Sequence, residues 1–214
     1  MKERIASRQI AHYARESLSN SIALTGDAVA AYKRGRYGSA FFLATIAMEE
    51  FAKCFMANDE IFNRQVNEHK MKQSIDWLRS ARDHKLKHYK FAHESTYYLP
   101  VKFVHQVLDQ KLDSAKQKAL YVDIELNDQR KLLHISTPSK VSEARARRQI
   151  SIIHDSLLNL IGNTLKGNYI LEMGDELPPI DRLTLRNVKR MWTRRYKAEK
   201  SNVHEIEKQK WSRV

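Results

Sequence analysis

A chain of 214 residues with 42% apolar side chains has the length of one domain plus an appendage and enough apolar surface for a core, which excludes wholesale disorder. Six glycines and four prolines favour helices over strands, and the single cysteine, Cys54, excludes a disulfide framework. The formal net charge of +13 points to polyanionic partners, RNA or the ribosome, the plain alternative being a solvated basic surface with no partner.

The first helix is predicted over residues 7–34, where Ile10, Tyr13, Leu18, Ile22, Val29 and Tyr32 recur at helical spacing until Gly35 breaks the pattern. A second runs from about Tyr37 to Met56. Its apolar residues go all the way round, which suits the central helix of a bundle. A third helical region follows, with Asn58 or Asp59 as its N-cap. The stretch from Val101 to Leu120 reads as a fourth helix. Residues 121–139 mix β-branched and polar side chains around Asn127-Asp128, which fits a long loop or a small hairpin. Thr137-Pro138-Ser139 opens a last core helix with the stripe Ile150, Ile153, Leu157, Ile161 and Leu165. Gly174 to Asp181 punctuates the chain before a basic tail, dividing it into a helical bundle over 1–173 and a basic C-terminal helix and tail over 174–214. In the tail Leu185, Val188, Met191, Trp192 and Tyr196 keep helical spacing, so it is expected to dock on the body, a second subunit or a partner.

The charge is unevenly spread. Residues 181–214 hold 11 Lys/Arg against 4 Asp/Glu, a net of +7, and Arg186, Lys189, Arg190, Arg194 and Arg195 are the candidate nucleic-acid contacts. The N-terminus lacks the apolar core of a signal peptide. The longest uncharged run, Tyr37–Met48, falls short of the roughly 20 residues of a bilayer span. A cytoplasmic location without a membrane is expected. No HExxH, acidic cluster or Cys/His set stands in the sequence, so neither a metal nor another cofactor is expected.

Glu49, Glu50 and Lys53 interrupt the most apolar helix. At 100° per residue they fall within about 100° of one another, on the side of Phe42, Leu43 and Ile46. An ion pair near a helix end is the bland reading, since Glu-to-Lys spacings of i,i+3 and i,i+4 allow neutralisation within the helix. Burying charge costs several kcal/mol per ion before pairing, which invites a functional reading beside it.

Residues 26–56, with a Gly35-Arg36-Tyr37 turn and the Glu49-Glu50-x-x-Lys53 ending, resemble the N-terminal part of AbiV-type abortive infection proteins. His84-Lys85-Leu86-Lys87 and Tyr121-Val122-Asp123 are similar to two further features of that family, in the same order over roughly residues 20–165. The resemblance implies a HEPN-like helical bundle and places the chain in a group that includes many metal-independent ribonucleases of toxin and phage-defence systems. It also implies a homodimer with the site at the interface, and a phage-encoded activator. The HEPN signature is Arg, four to six residues, then His. Five pairs match: Arg64/His69, Arg79/His84, Arg82/His88, Arg147/His154 and Arg148/His154. With 18 Arg and 9 His, chance produces some of these, so the pattern alone does not choose. Arg79/His84 ranks first because Ser80 follows the arginine and His84 opens His-Lys-x-Lys; Arg148/His154 is second, on the last core helix.

RNA is cut without metal when its 2′-hydroxyl attacks the neighbouring phosphate, which needs proton carriers and positive charge. His84 supplies the first, and Arg79, Lys85 and Lys87 supply the second. Glu49 or Glu50, neutralised by Lys53, would orient the histidine or a lysine, or act as base. A non-catalytic RNA- or ribosome-binding module and a phage-protein-sensing interaction subunit remain the alternatives.

Overall fold

The computed structural model describes residues 7–66, 80–95, 99–120, 123–126, 132–136, 141–165 and 181–193. In chain order these form α1 (Ser7–Lys33), α2 (Tyr37–Val66), α3 (His84–Glu94), α4 (Val101–Leu108), α5 (Lys111–Lys118), β1 (Asp123–Leu126), β2 (Leu132–Ser136), α6 (Glu143–Leu165) and α7 (Arg182–Met191). The architecture is an all-α bundle to which one antiparallel hairpin is appended. Its strands pair Ile124 with Ile135 and Glu125 with His134, with an irregularity at Leu126. Residues 123–126 and 132–136 therefore take the paired-strand form, not the loop.

α2 is the central helix because almost every turn of it buries something. Ala40, Phe41, Ala44, Ala47, Met48, Phe51, Phe55 and Ile61 reach the core, and α1, α3, α5 and α6 pack around it. Small residues on the facing sides let α1 and α2 lie close. There Ser21 Oγ, fully buried on α1, donates to the Ala47 carbonyl at 2.8 Å. The helices are joined by a Schellman turn: Gly35 adopts φ 73°, its N–H donates to Tyr32 O at 2.9 Å, and the Arg36 N–H donates to Ala31 O at 3.0 Å.

Three boundaries differ from the sequence reading. α2 does not stop near Met56 but continues to Val66. Asn58 is buried instead of capping, Asp59 binds Lys90 of α3 at 2.5 Å, and Glu60 pairs with Arg64 one turn on at 2.7 Å. The cap of α3 is Asp83, whose side chain accepts from the N–H groups of Lys85 and Leu86. The expected fourth helix is split into α4 and α5 at Gln110, which takes the left-handed φ of 58°. α6 begins at Glu143, and Thr137-Pro138-Ser139 lies outside the described residues, as do Tyr121, Val122 and Tyr196.

α7 docks on the body. Val188 is wholly buried, Trp192 is 5% exposed, and the indole N–H donates to Ser151 Oγ of α6 at 2.9 Å. Buried His154 of α6 bonds through Nε2 to the Val188 carbonyl at 2.8 Å. At the start of α2 the chain needs a missing side chain: a Cβ at Gly38 would lie 2.7 Å from the Ala119 carbonyl at the end of α5. Gly38→Ala should therefore lower stability by about 1–3 kcal/mol, the cost of overpacking. Denaturant titration checks this, and an unchanged midpoint would show that α5 yields freely.

Candidate functional site

Glu49 lies in the middle of α2 with its side chain 2% exposed, and it would be untenable there without cations. α3 and α5 supply them. His84, Lys87 and His88 stand at i, i+3 and i+4, so one face of α3 turns all three toward α2. His84 Nδ1 is 2.6 Å and Lys87 Nζ 2.8 Å from Glu49 Oε2. Lys116 Nζ of α5 is 2.7 Å from Glu49 Oε1, and His88 Nε2 is 3.1 Å from the same oxygen. Asp113, one turn before Lys116, pairs with it at 2.9 Å. Two carboxylates thus meet two buried ammonium groups, which balances the centre when both imidazoles are neutral.

Burial by itself would raise the pKa of Glu49, but His88, Lys116 and Lys87 outweigh it and hold the carboxyl far below the usual range. For Lys116 burial opposes the charge, and hydrogen bonds to Glu49 and Asp113 prevail, so its pKa is raised. The unfolded chain takes up a proton on Glu49 before the folded chain does. This part of the stability is therefore fully present above about pH 4.3, the unperturbed glutamate value, and is lost as pH falls toward the depressed folded value. Thermal melts should show a steeper acid limb below about pH 4 for the native chain than for Glu49→Gln; identical limbs would remove Glu49 from the account.

His84 is the member of the cluster that meets solvent, its side chain 49% exposed. A carboxylate only accepts, so Nδ1 is the ring nitrogen that donates to Glu49, which fixes the orientation of the imidazole. Glu49, His84 and Asp113 also offer three ligand atoms within 4.8 Å of one another, a spacing suited to a cation. The ammonium of Lys116 lies among them, 3.2 Å from His84 Nδ1 as well as bonded to both carboxylates.

The other expected site residues divide. Glu50 and Lys53 bond each other at 2.5 Å and turn toward α1, lining an open groove of about 550 Å³ with Tyr13, Glu16, Ser17 and Asn20. Burial raises the Tyr13 pKa there, and the charges of Lys53, Glu50 and Arg82 reach its hydroxyl, which puts Arg82 near the same groove. Lys85 is exposed beside His84, and Arg79 lies outside the described residues. On α7, Arg186, Lys189 and Arg190 are exposed; Arg194 and Arg195 lie outside the described residues. His154 is 1% exposed. Lys116 and Asp113 escaped the sequence reading as site residues, and His88 stood in it only within the unranked Arg82/His88 pair. The i,i+3 and i,i+4 spacing of His84, Lys87 and His88 was a legible signal; nothing local links Lys116 to a carboxylate 67 residues earlier.

The sequence model of one protein family, AbiV of the HEPN class, matches residues 9–159. No curated protein and no solved structure shows a significant match to the chain.

Proposed function

The chain belongs to the AbiV family of HEPN proteins, whose functional class is abortive infection, a defence against phage, and from that premise we propose that it is a metal-independent endoribonuclease. The observation that carries the reading is the pairing of half-exposed His84 with the buried carboxylate of Glu49 at 2.6 Å. Such a pair sets the imidazole tautomer and stabilises the imidazolium formed when Nε2 takes the proton of an RNA 2′-hydroxyl. Attack by that oxygen on the adjacent phosphorus forms a 2′,3′-cyclic phosphate and releases the 5′-oxygen of the next nucleotide, which takes up a proton. Lys85 on the first turn of α3 and Arg82 just before it are exposed, and their positive charge suits contact with phosphate oxygens. Lys87 and Lys116 are held by carboxylates, so their role is to fix Glu49 and thereby His84.

Translation would stop when a phage-encoded component activates the chain, with RNA or the ribosome as target and a homodimer as the working form. Helices long and apolar enough to cross a membrane are absent among the described residues. The test is incubation of the purified protein with total RNA and ribosomes, with and without phage lysate, in the presence of EDTA. Fragments ending in 2′,3′-cyclic phosphate support the reading. Cleavage that EDTA abolishes rejects the metal-independent mechanism, and none under any condition rejects the ribonuclease and favours a binding module.

A further inference from the structure

Three separated stretches of chain end at one pole of the bundle, and Tyr32 joins them. Its hydroxyl donates to Glu143, the first residue of α6, at 2.6 Å. Its ring meets Trp192, just past α7, edge-on with centroids 5.1 Å apart. Tyr32 itself lies one turn before the Schellman turn between α1 and α2. α7 runs antiparallel to α6, since Val188 bonds to His154 and Trp192 to Ser151, so its C-terminal end approaches the start of α6.

Each stretch brings exposed cations to this pole: Arg34 and Arg36 from the turn, Arg147 and Arg148 from the first turns of α6, Lys189 and Arg190 from the end of α7. None of the six pairs with a carboxylate among the described residues, and Glu143 is engaged by Tyr32. Like charges brought together repel one another, and converging them at one end with no ion-pair partner among the described residues leaves a place for a polyanion. Five of the six are arginines, whose planar forks match phosphate oxygens.

We propose that this pole is a docking surface for the RNA backbone, separate from the Glu49–His84 centre and about 20 Å from it along α2 at 1.5 Å per residue. It reads phosphate spacing rather than sequence and holds the RNA while another part of the strand reaches His84. The proposal rests on the reading of the chain as an RNA-acting protein, but not on cleavage.

The test measures binding alone, in the His84→Ala background, with a fluorescent single-stranded RNA of mixed sequence titrated across a range of KCl. Combined Arg34→Ala, Arg36→Ala, Arg147→Ala and Arg148→Ala should weaken binding more than tenfold. The salt slope should flatten by about 3, since each phosphate contact on single strands contributes roughly 0.7. The comparison protein carries Arg8→Ala and Arg182→Ala, at the far end of α1 and at the start of α7, and should lose far less. Unchanged melting temperatures confirm that the exposed replacements leave the fold intact. Equal losses in the two proteins, no loss in the fourfold variant, or no RNA binding by the parent would overturn the surface. Displacement of RNA by polyglutamate at equal charge would overturn it in favour of an acidic protein partner. A fourfold variant that loses binding while the native chain cuts no RNA leaves the surface standing and removes the ribonuclease.

Discussion

His84→Ala should lower RNA cleavage by roughly 10²–10⁴-fold, the usual contribution of a positioned acid or base, while the protein stays folded. The structural reason for the second half is exposure: the side chain is half in solvent, and Glu49 keeps Lys87 and Lys116 when it is gone. A stability loss of about 1 kcal/mol is expected from the lost hydrogen bond. His154→Ala should behave the other way round. That imidazole is 1% exposed and ties α6 to the α7 backbone, so its removal leaves a cavity and an orphaned carbonyl, about 2–4 kcal/mol of destabilisation. Cleavage per folded molecule should survive. Activity and melting temperature must be read together on both variants. Loss of cleavage confined to His154→Ala, with folding intact, would move the chemistry to α6 and leave Glu49 as a structural charge.

Glu49→Ala should destabilise the chain by about 3–5 kcal/mol, because it strands the buried ammonium of Lys87 and leaves buried Lys116 with Asp113 alone. For a chain of this size that is a fall in Tm of about 10 °C. Glu50→Ala, next in sequence, should cost only about 1 kcal/mol. Its partner Lys53 lies beside the open groove, where water takes over the solvation of the released ammonium. Denaturant titration of the two variants separates these outcomes directly. Equal losses would mean that the division of the adjacent glutamates between two environments carries no energetic weight. Adding Lys87→Met to Glu49→Ala should restore part of the stability, since an apolar side chain then replaces the buried cation that lost its carboxylate; no recovery would place the cost elsewhere.

The helices themselves were legible because their causes are local. The apolar residues encircling α2, the Ile150, Ile153, Leu157 stripe of α6 and the glycine of the first turn all act within a few residues of where they stand. Helix ends were less so. Asn58 and Asp59 have the chemistry of caps, yet α2 runs through them because one is buried and the other is claimed by Lys90 from a different helix. The same distinction governs the site. Sequence and resemblance named Glu49, His84 and Lys87, and the fold does bring these three side chains together. It also separates Glu49 from Glu50, although they are neighbours: a 100° step on a buried helix is enough to send one to α3 and α5 and the other toward α1. Lys116 entered the centre only through tertiary packing. A charge pair in the interior is set by which helices meet, and that meeting is fixed by the whole core; the local pattern around either partner holds no record of the other.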